Sequence, residues 1–171
     1  EIGNEPCLSL NYADDWAGFG KLVNDAAIAI AGRFPVVSGG IFSTSARGLE
    51  YLAYAMRWMD PSIKIGVHSY RQNGTPQRQH TPWRSRDGEF LMIHDLANPR
   101  AVWCTEMGWH TAPFPYGLFG WGSKHWTDEQ VSTYLADELG LQATYGAEVA
   151  VVYQWTDGPG NEGIDRFGLK L

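Results

Sequence analysis

A chain of 171 residues, 44% hydrophobic and 19% charged, has an ordinary globular composition, so a single domain over 1–171 with one core is expected. The net charge of −6 and the scattered Lys and Arg residues leave no basic patch, which disfavours nucleic acid as a partner, and acidic polymers with it. No apolar stretch reaches bilayer length, so no membrane helix is expected.

The chain opens on EIGNEP, which reads as the end of a strand with Glu5 set between Asn4 and Pro6. Helical patterning follows at 21–34, then a strand-like run at 35–42, a second helical segment at 46–59, and a strand at 62–70 that ends in His68, Ser69 and Tyr70. A weaker helical segment covers 88–97, and the apolar run at 100–107 carries Glu106 near its downstream end. Thr127 followed three residues later by Gln130 forms a capping-box pattern that starts a helix over 127–146, and a last strand-like run covers 147–155. Strand and helix alternate throughout, which predicts βα units and a parallel sheet. The segment from Trp109 to Trp126 is long and rich in Gly, Pro and aromatics, and long loops in compact domains usually carry function.

Two glutamates carry the chemical reading. In a parallel sheet the strands are buried on both faces and the chemistry sits at their C-terminal ends. Glu5 and Glu106 both lie there, and alternation places Val102 and Cys104 on the inward face that Glu106 would share. Most glutamates are solvated surface charges, but a carboxylate facing apolar neighbours is costly unless it is used or paired. Two such groups about 5 Å apart can hydrolyse a glycosidic bond with retention, whereas about 6.5–9.5 Å would fit inversion. The chain also holds 8 Trp and 8 Tyr, and Trp83, Trp109, Tyr116, Trp121 and Trp126 fall in loop-like segments. As a group they fit an aromatic-lined cleft that stacks on sugars; for any single ring, packing under a loop is the plainer alternative. The two cysteines, Cys7 and Cys104, imply no disulfide framework, and Cys104 reads as a small core residue.

At these residues the chain resembles the retaining glycoside hydrolases of clan A, nearest in style to the cellulase-like family 5 and relatives such as family 39. The resemblance rests on NEP at 4–6, the strand-like run at 35–42, His68-Ser69-Tyr70, TEMGW at 105–109 and VVYQWTDGP at 151–159, in that order and each separated by one helical segment. It implies a partial (β/α)8 TIM barrel of about five parallel strands, corresponding to the family's strands four to eight and lacking the first three. It further implies Glu5 as acid/base, Glu106 as nucleophile, and Asn4, His68, Tyr70 and Trp155 as sugar-binding residues, with Trp109 and Trp121 lining the cleft. Tyr70 would donate a hydrogen bond to Glu106, and Asn4 would hold the sugar 2-OH. No cofactor is implied. The partner is an oligo- or polysaccharide, and the missing strands would be supplied by an absent N-terminal half or by self-association.

Two other readings stand beside it. A barrel portion of this kind could bind glycans in its cleft without cutting them. A metal-dependent hydrolase using His68, His110 or His125 is disfavoured, because the five His residues show no paired ligand spacing.

Overall fold

The computed structural model describes residues 1–7, 12, 14–30, 32–41, 46–70, 93–109 and 126–153. Within them, helices α1 (Trp16–Ile30) and α2 (Ala46–Ala55) are followed by strands β1 (Ile65–Tyr70) and β2 (Val102–Gly108), then by helix α3 (Asp128–Thr144) and strand β3 (Val149–Val152). The three strands form a parallel sheet in the order β1-β2-β3. Isolated parallel bridges extend the pairing toward the N-terminus: Ile41 to Val67, Val37 to Lys64, and Ile2 to Ser38. The expected parallel α/β arrangement is therefore present.

Helices α1 and α3 start where a side chain can receive their orphan amides. The Asp15 carboxylate accepts from Gly18 N at 2.8 Å, so α1 begins at Trp16, five residues before the helical patterning predicted. Gly32, at φ 74°, follows its last turn. On α3 the expected capping box is formed: Thr127 Oγ1 accepts from Gln130 N at 3.2 Å, and Thr127 N donates to Gln130 Oε1 at 3.0 Å. After α2 a short 3₁₀ turn, Met56–Trp58, leads toward β1. The Arg100 guanidinium closes that corner by donating to the carbonyls of Met56, Met59, Ile63 and Asp60. Of the weaker helical segment, residues 93–97 are helical; 88–92 lie outside the described residues.

The main core lies between α1, α2 and one face of the sheet. Phe19 and Val23 of α1, one turn apart, meet Tyr51, Leu52 and Ala55 of α2, and all pack with Ile65, Val67 and Val102 of the strands. Gly20 lets the two helices cross closely, since a Cβ there would lie 2.4 Å from the Ala55 carbonyl oxygen. A smaller cluster under α3 joins Trp109, Val131 and Leu135, with Trp126, Tyr134 and Val152 packed against it.

One irregularity corrects the expected phase of β2. Val67 pairs with Cys104, but His68 pairs with Glu106, and a matching shift against β3 falls between Cys104 and Met107. β2 thus carries one extra residue, a bulge at Thr105. Strict alternation would have left Glu106 on the face of Val102 and Cys104, which is the helix-side core. The extra residue turns it to the opposite face, beside His68.

No helix among the described residues is long and apolar enough to cross a membrane.

Candidate active site

The site forms on the sheet face opposite the main core, at the C-terminal ends of the strand segments. Its centre is His68 on β1, whose side chain is fully buried. Nδ1 donates to Glu5 Oε1 at 2.9 Å, and Nε2 faces Glu1 Oε1 at 3.3 Å and Glu106 Oε1 at 3.7 Å. Glu5 and Glu106 are each about a quarter exposed, with side-chain values of 23% and 28%, so both carboxylates reach solvent while one edge of each stays on the histidine.

Burial alone would pull the His68 pKa down. Hydrogen bonds to Glu1 and Glu5, with the charges of Glu106 and Glu5, outweigh it and push the value up to about 9. The ring is therefore an imidazolium at neutral pH, and both nitrogens donate. The opposite balance holds at Glu1: burial would raise its carboxyl, but hydrogen bonds from His68 and Gly40 and the imidazolium charge hold it below its ordinary value.

The backbone around this hub is shaped to admit it. A Cβ on Gly40 would lie 2.0 Å from His68 Cδ2 and 2.1 Å from Nε2, so only glycine leaves room for the ring. Gly40 N also donates to Glu1 Oε1 at 2.7 Å. Ser38 Oγ accepts from Gly66 N at 3.0 Å, and a Cβ on Gly66 would clash with the Ser38 carbonyl at 2.4 Å, so these segments lie close together. Glu5 itself has φ 42°, in the left-handed region that disfavours residues with a Cβ by about 1–2 kcal/mol. Such strain concentrates at functional positions.

Glu5, His68 and Glu106 are thus brought together. Their nearest ligand atoms all lie within 4.8 Å of one another, a spacing that could also hold a metal ion. A metal there would have to displace the proton from His68, since an imidazolium has no lone pair to offer. His110 and His125 lie outside the described residues.

The other expected site residues fare differently. Asn4 is exposed next to Glu5. Tyr70 closes β1 opposite Gly108, with its side chain outside the described residues. Trp121 and Trp155 fall outside them too, as do Trp83 and Tyr116. Trp109 is a correction: it is 1% exposed and packs on Tyr134 at 5.7 Å between ring centres, in the small cluster under α3. The bulge explains this, because two residues past Met107 the strand again points to the helix side. Trp126 joins the same cluster. Cys104 is buried, as expected of a small core residue, and Cys7 is buried as well.

Glu1 and Gly40 were not among the expected residues. No period-two signal could have found Glu1, because the chain leaves the extended conformation at Gly3 (φ 78°) and Glu5 (φ 42°).

No family profile matches the sequence, and no curated protein matches it either. Solved structures do. An endo-laminarinase from Formosa aligns with a TM-score of 0.64 at 14% identity, over 98% of this chain and 53% of that one. A glycoside hydrolase family 17 β-1,3-glucanosyltransferase from Rhizomucor miehei aligns at 0.67 and 15% identity, over 98% and 57%. A β-glucuronidase from Ruminococcus gnavus aligns at 0.56 and 18% identity, over 97% and 27%. At such identities the likeness is one of fold. The chain has an α/β fold similar to part of a TIM-barrel glycosidase, and it spans little more than half the length of the first two enzymes.

Proposed function

We propose that this chain carries both catalytic acids of a retaining glycosidase, Glu106 as nucleophile and Glu5 as acid/base. One observation carries the reading: across His68, oxygens of the two carboxylates approach within 4.8 Å. A separation of that order fits the about 5 Å of retaining pairs better than the about 6.5–9.5 Å of inverting ones. The fold supports a glycosidase-type activity, since the similar structures are glycoside hydrolases and a glucanosyltransferase.

Glu106 attacks the anomeric carbon while Glu5 gives its proton to the departing glycosidic oxygen, and the glycosyl group becomes an ester of Glu106. Glu5 then takes a proton from water, the resulting hydroxide breaks that ester at the anomeric carbon, and both acids return to their starting states. His68 keeps the two carboxylates aimed at one point. Asn4 holds the sugar 2-OH, Tyr70 orients Glu106, and Trp155 and Trp121 supply stacking surface. A β-linked glucan is the substrate to try first, because one similar enzyme is a laminarinase and a mutant of another holds laminaritriose.

Aryl β-glycosides and laminarin oligosaccharides test this. Glu106→Gln should lower turnover at least about a thousandfold, equivalent to about 4 kcal/mol of barrier. Glu5→Ala should lose little on aryl glycosides with good leaving groups and most on natural linkages. Equal loss by Glu5→Ala on every substrate would overturn the acid/base assignment. A second reading, a carbohydrate-binding barrel portion without turnover, draws on the chain's covering only 53–57% of the first similar enzymes. Saturable glycan binding with no product from the wild-type chain would favour it.

A further inference from the structure

α3 carries a polar pair inside its otherwise apolar buried stripe. Val131, Leu135, Glu138 and Gln142 all point inward, and Glu138 and Gln142 are 0% and 1% exposed. The Glu138 carboxyl accepts from Ser69 Oγ at 2.7 Å and from Gln142 Nε2 at 3.1 Å, both on Oε1. A leucine at 138 would continue the stripe at no desolvation penalty, so a buried carboxyl here is explained by direction rather than by added stability. Ser69 is the residue between His68 and Tyr70, and its side chain points to the helix face while His68 points to the site. The tether also falls next to a weak place in the sheet. The register shift opposite Val67 and His68 interrupts the backbone ladder where His68 meets Glu106, and a bulge leaves strand ends free to bend. Backbone pairing alone therefore fixes that contact less well than it fixes the strand starts. α3 meanwhile holds β2 from the same side, through Trp109 packed on Val131 and Leu135.

We propose that Glu138 is a positioning residue: by holding Ser69, it fixes the end of β1 against α3 so that His68 stays in register with Glu106 and in contact with Glu5. The inference rests on the proposed glycosidase reading only for what the held geometry serves. The geometry itself can be followed without turnover.

The ring of His68 reports it. Two-dimensional NMR of the imidazole nitrogens in the full chain would be followed against pH in the wild type, Glu138→Gln, Glu138→Leu and Ser69→Ala. Thermal melts would be recorded alongside. Glu138→Gln keeps an acceptor for Ser69 and should give ring signals and a titration midpoint close to the wild type, near 9. Glu138→Leu and Ser69→Ala should each shift the ring signals and lower the midpoint by about one unit as the carboxylates draw away, even where the melt is unchanged or higher. Should the Leu variant fail to fold, Ser69→Ala decides, because it deletes one hydroxyl only. Unchanged His68 signals in the folded variants would overturn the proposal, as would a Gln variant disturbed as much as Ser69→Ala. Failure of the glycosidase reading shows separately, as Glu106→Gln turning over like the wild type.

Discussion

The two faces of the β1–β2 pair use the same backbone to opposite ends. On the helix side, Ile65, Val67 and Val102 pack with α1 and α2 in a dry, continuous core. On the other side, the His68 ring meets the carboxyl groups of Glu5, Glu1 and Glu106, and Trp103 Nε1 donates to Glu148 at 3.0 Å. The first face is held by area and tolerates small shifts. The second is held by directed contacts, and a displacement of an ångström would part them.

That contrast can be broken from either side. The largest expected effect is on the dry face: Leu52→Ala, at a residue 1% exposed, should destabilise the chain by about 3–4 kcal/mol. The surviving folded fraction should keep its turnover per molecule. Urea unfolding and active-site titration together check this, and a loss of specific activity would mean that the faces are coupled.

A somewhat smaller effect concerns pH. The folded His68 pKa of about 9 lies above the ordinary 6.5, so its contribution is fully present below about pH 6.5 and is lost as pH rises through about 9. That difference corresponds to about 3 kcal/mol. Unfolding at about pH 6 and about pH 10, compared with His68→Gln, isolates it from the lysines and tyrosines that titrate nearby. A wild type that loses no more than the variant would sink the imidazolium assignment.

Smaller again is Gly40→Ala. The added methyl, 2.0 Å from the His68 ring, must push the imidazole off its carboxylates, and turnover should fall about a hundredfold. The apolar core should remain intact by near-UV circular dichroism. Retained activity with a repositioned ring would show that the hub is dispensable.

The sequence made some of this plain and concealed the rest. The capping box at Thr127 and Gln130 is a local contact between residues three apart, so it could be read directly. The alternation of strands and helices likewise follows from short-range patterning. Glu5 and Glu106 were legible as strand-end acids, and His68 as their neighbour. The bulge at Thr105 was not, because period-two alternation carries no record of what lies opposite each residue. Both the face of Glu106 and the burial of Trp109 followed from that single extra residue. The start of α1 was missed because Trp16, Gly18 and Phe19 look loop-like, although Asp15 stood ready as a cap. Glu138 was hidden for the converse reason: an acid inside a helix reads as surface until the spacing from Val131 and Leu135 is followed around the turn.

The left-handed backbone of Glu5 has a wider implication. Asn-Glu-Pro is a spelling that short peptides of any origin can share, yet here it is also a posture, one that a free peptide would relax out of within nanoseconds. Gly3, itself at φ 78° and seated against the Phe19 ring, belongs to that posture as much as the glutamate does. Anyone grafting the tripeptide onto another scaffold would transfer the letters and lose the aim, unless the turn and the aromatic beneath it travelled too.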